Sequence, residues 1–299
     1  MAMTDAPVRY RCTHVTAYSY GEPVTESHLI AHLAPRPHPR QTGRIVALSL
    51  NPAPAVAVDR VDWFGNPVTY AALQEPHRSL TVTAELEVEV RPPPPVDPAA
   101  TPAWEWLRDR ARDRMETAEQ VFASPRVPAP DPDLAVFAAE SFTPGRPVAE
   151  AALDLMHRIH RDFTFDPTAT TVSTPVRDVL GQRRGVCQDF AHLLIGAARS
   201  LGLPARYVSG YLRTLPPEGV EDWRGAAASH AWVQLWTGDP EAGGVGWLDL
   251  DPTNGVMAGV DHVTLAWGRD YDDVCPLRGV IVGGGSHTLS VAVRVEPVD

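Results

Sequence analysis

The chain reads as an α+β protein: a strand-rich N-terminal part, a proline-broken connecting stretch, and a second half in which helices precede antiparallel strands. Three observations carry this. Leu80, Val82, Ala84, Leu86, Val88 and Val90 alternate with Thr81, Thr83, Glu85, Glu87 and Glu89, the period-two signature of a half-buried strand. Pro92 to Pro95, with Pro98 and Pro102 behind them, fit neither a helix interior nor a central strand and make a stiff spacer. Phe190, Leu193, Leu194, Ala197 and Leu201 fall at helix spacing, and Gly202 with Leu203-Pro204 stops that helix. A β-rich stretch followed by a helix and antiparallel strands argues for α+β.

Residues 1–95 are expected to form a β-sandwich-like unit. Tyr10, Cys12, His14, Thr16, Tyr18 and Tyr20 alternate with a second set, and residues 45–50 and 56–61 are short β-branched runs bounded by Asn51-Pro52 and Gly65-Asn66-Pro67. Residues 96–147 form a Pro-rich connecting region with helices at 104–122 and 134–142. Residues 148–299 hold the core that carries the chemistry. There the helix at 148–163 presents Ala152, Leu155, Met156 and Ile159 as an apolar stripe. Strands are expected at 205–212, 231–236 and 246–250, separated by Pro216, Pro217 and Gly219 and then by Gly238, Pro240, Gly243 and Gly244. Leu289, Val291, Val293 and Val295 end the chain as another half-buried strand, counted with the core segment and able to pair in either unit.

The formal charge of −11 argues against nucleic acid or an anionic membrane surface as the main partner. No apolar run approaches the ~18 residues of a membrane helix, and Met1–Arg11 lacks an apolar signal core, so a cytoplasmic protein is expected. Cys12, Cys187 and Cys275 are too few and too widely spaced for a disulfide framework or a thiolate zinc site. No metal or cofactor is expected.

Cys187 falls in the first turn of its helix, where free N–H groups and the positive dipole end favour a thiolate, and nearby Arg183 and Arg184 are expected to push its pKa the same way. A nucleophilic thiol needs a base and a group that orients the base. His230 opens one strand and Asp251 closes the next. A hairpin turning near Pro240 sets Trp236 opposite Val245, Trp232 opposite Asp249 and His230 opposite Asp251, with opposed Cβ atoms ~5 Å apart. Asp189 reads as a first-turn carboxylate of the helix and His192 as a hydrogen-bonded core histidine. His157 and His160 read as surface or packing residues, and Gly283-Gly284-Gly285-Ser286 as a turn.

Gly-Val-Cys187-Gln-Asp-Phe-Ala, then Ser-His230-Ala-Trp, then Asp251-Pro-Thr-Asn-Gly resembles the transglutaminase-like core in its bacterial branch. The segments from Leu203 to Tyr211 and from Gly268 to Val274, and Trp63-Phe64-Gly65-Asn66 in the N-terminal strands, resemble further parts of the same proteins. The resemblance implies a papain-like core, with a nucleophile helix packed on an antiparallel sheet, behind an N-terminal β domain. It implies Cys187 as nucleophile, His230 as general base then acid, and Asp251 as its orienting partner. The implied reaction attacks a peptide or protein amide and forms a thioester, which passes to water or to an amine. Hydrolysis is the expected outcome, with γ-glutamyl-type transfer as the alternative and a binding scaffold as the second. Animal transglutaminases carry Trp after the nucleophile, whereas Gln188 follows Cys187, and no Trp lies between Trp106 and Cys187. The backbone N–H of Cys187 is therefore the expected oxyanion donor. No acidic loop of calcium-binding spacing is present.

Overall fold

A computed structural model describes residues 6–214 and 229–298. The turn expected around Pro216, Pro217 and Gly219 lies outside the described residues. The strand expected around Tyr10–Tyr20 runs on to Ala31 as one long strand, β1 (Val8–Ala31), its alternation broken at Gly21–Pro23 and resumed on the other parity from Ser27. β2 (Gln41–Asn51), β3 (Val56–Val61), β4 (Pro67–Leu73) and β5 (His77–Val90) follow; β5 and β4 both pair with β1, β2 pairs with β5 and β3 with β4. Irregular pairing between Ser19 and Glu26 lets the two halves of β1 take different neighbours: β5 lies along the first half and β4 along Ser27–Ala31. Leu80, Val82, Ala84 and Leu86 point inward, as their alternation predicts, and meet Tyr10 and Leu29 from both halves of β1 in one core.

The connecting region departs from expectation. One helix over 104–122 gives way to two short ones, α1 (Trp104–Arg108) and α2 (Met115–Ala118), ahead of α3 (Pro132–Ala139). The Thr117 hydroxyl donates to the Ala111 carbonyl at 2.6 Å, a local bond that competes with the helical ladder. Arg108 and Arg110 fold over the Trp104 and Trp106 rings of their own segment.

α4 (Val148–Asp162) buries its predicted stripe completely. β6 (Thr164–Phe165), α5 (Val176–Gln182), β7 (Arg184–Gly185) and α6 (Cys187–Ser200) lead to β8 (Ala205–Leu212), β9 (His230–Trp236), β10 (Trp247–Asp251), β11 (Val256–Met257) and β12 (His262–Gly268). The last five make an antiparallel sheet in the order β11-β10-β9-β8-β12. α6 lays Phe190, Leu193 and Leu194 against Tyr207, Val233, Leu235 and Leu250 of this sheet. Each such side chain contributes on the order of 2 kcal/mol by leaving water. Among the described residues, no helix is long and apolar enough to cross a membrane.

After α7 (Tyr271–Val274) the chain leaves this sheet. β13 (Leu277–Gly283) and β14 (His287–Val298) pair along β1, at Val24–Ala31 and Arg9–Tyr20. The C-terminal strand counted with the core segment thus completes the N-terminal sheet. With β5 and β4 on one side of β1, its other edge is free to accept a strand along its whole length. Gly283, Gly284 and Gly285 turn the chain between β13 and β14 with φ of 90°, 89° and 58°, as a connecting turn.

Candidate active site

The nucleophile's helix is built by local chemistry. α5 ends on Arg183 in the left-handed conformation (φ 54°), and β7 then pairs with β6. Val186 is extended, and α6 starts at Cys187. Asp189 Oδ2 accepts from the Val186 N–H at 2.8 Å and from the Thr170 hydroxyl at 2.6 Å. This is the first-turn role expected of Asp189, and burial pushes its carboxyl up. A Cβ on Gly185 would lie 2.7 Å from Asp189 Oδ2, so the folded-back carboxylate requires glycine there. Cys187 is half-buried. Arg183 and Arg184, expected to act on the thiol, turn instead to Asp162 (4.0 Å) and Asp166 (3.5 Å), because the turn at Arg183 and the β6–β7 pairing point them outward.

β9 and β10 form the expected hairpin in a different register. Trp236 faces Trp247 and Gln234 faces Asp249, a shift of two residues from the expected pairs. The 3-10 turn at Pro240–Ala242 and the bonds between Thr237 and Gly246 set this register. A shift of two keeps every side chain on its face. His230 therefore still meets Asp251, diagonally rather than directly: His230 Nε2 donates to Asp251 Oδ2 at 2.8 Å. The Cys187 sulfur, at the start of α6, is within hydrogen-bonding reach of the ring. The three predicted site residues come together.

Asp251 is fully buried, and burial alone would push its carboxyl up. Hydrogen bonds from His230 and His262 outweigh that and hold it well below the usual carboxylate range. Burial likewise opposes the charged form of His230, but the bond to Asp251 and the nearby Cys187 sulfur raise its pKa above the ordinary imidazole value. Trp232 stacks on the His230 ring at 6.3 Å and is held by its Nε1–H to Asp249 Oδ1 at 3.0 Å. Asp249 also accepts from Gln234 (2.9 Å) and from Arg40 (2.8 Å), which comes from the N-terminal unit.

Three neighbours escaped sequence reasoning. Asn254 donates its amide to Asp251 Oδ2 at 2.7 Å, and its place three residues after Asp251 was the available signal. His262 reaches the same oxygen at 3.1 Å from β12, and Arg40 reaches Asp249 from the N-terminal unit; neither carries a local signal. His192 is buried, accepts from the Tyr271 N–H and is pushed down to about 3 by burial, as a core histidine. His160, on α4, bonds the Thr253 carbonyl at 2.9 Å. Among the described residues, His230, Asp251 and His262 are the one group whose potential metal-ligating atoms converge, within 4.8 Å of one another. Both imidazoles meet one carboxylate oxygen, Asp251 Oδ2, at 2.8 and 3.1 Å.

A half-buried thiol at a helix N-terminus, beside an imidazole tied to a buried carboxylate on an antiparallel sheet, has the layout of papain-like cysteine enzymes. Residues 10–89 match the bacterial transglutaminase-like N-terminal region and residues 137–252 the transglutaminase-like superfamily. An uncharacterized protein of Mycobacterium tuberculosis is 41% identical over 97% of this chain and 93% of its own length. Another from Mycobacterium leprae is 36% identical over 96% and 98%. The chain belongs to the bacterial transglutaminase-like family. A protein-glutamine gamma-glutamyltransferase of Pseudomonas aeruginosa is 31% identical over 36% of this chain and 18% of its own length. The crystal structure of a candidate cysteine protease from Cytophaga hutchinsonii shares the fold, with a TM-score of 0.75 at 20% identity over 98% of this chain and 92% of that one.

Proposed function

We propose that this protein is a cysteine enzyme acting on peptide or protein amides, with Cys187 as nucleophile, His230 as general base and acid, and Asp251 as orienting carboxylate. The observation that supports this best is the convergence of the His230–Asp251 pair on a thiol at a helix N-terminus. In the first half-reaction the Cys187 sulfur attacks the amide carbonyl, with the N–H of Cys187 facing the developing oxyanion. His230 gives its proton to the departing amine, the C–N bond breaks, and a thioester remains on Cys187. In the second half His230 takes a proton from the incoming nucleophile, which attacks the thioester and frees the thiol. Water as that nucleophile gives hydrolysis, the reading favoured here. The likeness to the P. aeruginosa transferase over part of the chain supports transfer to an amine as the second reading.

The test is alkylation by iodoacetamide from about pH 5 to about pH 9, with the modified cysteine mapped by mass. Cys187 is expected to react well ahead of Cys12 and Cys275, and His230→Ala to abolish that lead. Equal labelling of all three would sink the assignment. Incubation with a peptide mixture, with and without an added amine, then separates free-acid products from amine adducts.

A further inference from the structure

We infer that His262 is a positioning residue: from the edge strand β12 its Nε2–H fixes the Asp251 carboxylate that in turn orients His230. The inference rests on the roles proposed above for Cys187, His230 and Asp251. Three observations carry it.

The first is direction. His262 Nδ1 accepts from the Gly259 N–H at 3.3 Å, which leaves the ring proton on Nε2, 3.1 Å from Asp251 Oδ2. The backbone thus selects the tautomer that donates to the carboxylate. The second is the space made for the ring. β12 and β10 lie at opposite sides of β8 and β9. Gly210 on β8 presents no side chain there, and a Cβ on it would lie 2.5 Å from the Trp232 ring. Trp232 lies across this gap and meets His262 edge to face at 5.3 Å. The same indole therefore supports both imidazoles that converge on Asp251. The third is the share of the oxygen. Asp251 Oδ1 accepts from the Thr253 and Asn254 N–H groups, and Oδ2 accepts from His230, His262 and the Asn254 amide. With His262 in place Asp251 is pinned by donors from its own loop and from β12, so His230 meets a carboxylate whose orientation does not depend on His230 itself. His262 also draws on the charge of Oδ2 and so moderates its hold on the His230 proton. The groups facing His230 are Cys187 from α6, Asp251 from β10, and Asn254 and His262 around that carboxylate.

Two variants separate this role from packing. His262→Met fills the ring's volume without a donor, and His262→Gln restores a donor near the position of Nε2. Alkylation of Cys187 is followed against pH with neutral iodoacetamide and with anionic iodoacetate, whose excess rate requires a protonated His230. In His262→Met the iodoacetamide rate is expected to fall by about fivefold or more, and the pH at which the iodoacetate advantage disappears to rise by about half a unit, since Asp251 then serves His230 with one donor fewer. His262→Gln is expected to stay within about twofold of the parent protein. A His262→Met variant that folds and keeps both the parent rate and the parent midpoint overturns the inference. So does a His262→Gln variant that loses both. Should His262→Met fail to fold, the His262→Gln midpoint and rate decide alone. His230→Ala, measured alongside, reports on the underlying reading: if it leaves Cys187 alkylation unchanged, the proposed catalytic roles fail, whatever the His262 variants show.

Discussion

Asp251 concentrates the electrostatics of the site on two atoms. Its carboxylate is fully buried, and the donors around it replace the water it lost. Asp251→Asn keeps the shape and removes the charge, and its amide can turn an N–H toward the ring nitrogen that should donate. Alkylation of Cys187 is expected to slow by about a hundredfold or more, the scale set by losing the orienting acid of such a triad. The pH at which His230 loses its proton should move down, because the partner that raised it has gone. Stability follows the same groups. The raised pKa of His230 contributes stability that is full below the ordinary imidazole value and lost as pH rises through the folded value. The lowered pKa of Asp251 contributes stability that is full above the ordinary carboxylate value and lost as pH falls through the folded one. Both contributions are therefore complete between about pH 4 and about pH 6.5, where Asp251→Asn should lower the melting temperature most. A melting-temperature difference that does not vary with pH would show that the pair is not coupled in this way.

At the scale of elements, the loop into α6 and the β9–β10 hairpin place the chemistry, and both depend on glycine at a point of contact. Gly185→Ala would drive a methyl group into the Asp189 side chain, 2.7 Å from Oδ2 and 2.8 Å from Cβ. A cost of about 1–3 kcal/mol in denaturant unfolding is expected, with slower alkylation of Cys187 because the first turn must shift. Gly210→Ala should cost more, about 3 kcal/mol or above, since its methyl would meet the Val263 carbonyl oxygen at 2.1 Å as well as Trp232. Unchanged stability in either variant would mean that the backbone yields where the packing says it cannot. What was legible in the sequence follows the same division. The start and stop of α6 could be read because Cys187 and Asp189 act within its first turn, Gly202 acts at its end, and the apolar stripe joins the two. The meeting of His230 and Asp251 could be read because strand faces repeat every two residues, so a register displaced by two still joins them. The register itself could not, since it depends on how Pro240–Ala242 and Gly246 fold the turn. His262, Gly210 and Arg40 were invisible for a related reason: their partners are reached through the pairing of β8 with β12 and the packing of one sheet on another. The helix expected over 104–122 breaks between Arg108 and Met115, where the Thr117 hydroxyl reaches back to the Ala111 carbonyl.

Across the whole molecule, the two sheets are joined through polar and aromatic contacts as well as apolar ones. Tyr211, Val263 and Leu265 of the second sheet enter the N-terminal core. The buried Gln41 amide donates to the Thr264 carbonyl at 2.7 Å and accepts from the Thr264 N–H at 2.8 Å, as a strand neighbour would. Arg36 and Arg206 lie on the Trp267 ring at 3.6 and 3.9 Å, and Arg206 also lies over Trp247 at 4.0 Å. Histidines sit in the same joints. His14 of β1 bonds the Tyr211 hydroxyl at 3.0 Å, and His38 packs by Trp267 among Arg36, Arg40, Arg206 and Asp249. His192 lies beneath α7. Burial pushes His14 and His38 down to about 4, and His192 to about 3. All three therefore fold neutral, while the unfolded chain binds protons on them near the ordinary value. The sign is fixed: stability is full above about pH 6.5 and is lost as pH falls toward the folded values, by up to about 1.4 kcal/mol per unit for each histidine. The melting temperature should therefore drop between about pH 6.5 and about pH 4, before most carboxylates take up protons. In His14→Gln, whose amide can still bond Thr16 and Tyr211 but cannot titrate, the slope in this window should fall by about a third. A melting temperature flat across the window, or a His14→Gln slope equal to the parent's, would show that these joints accept a charged ring.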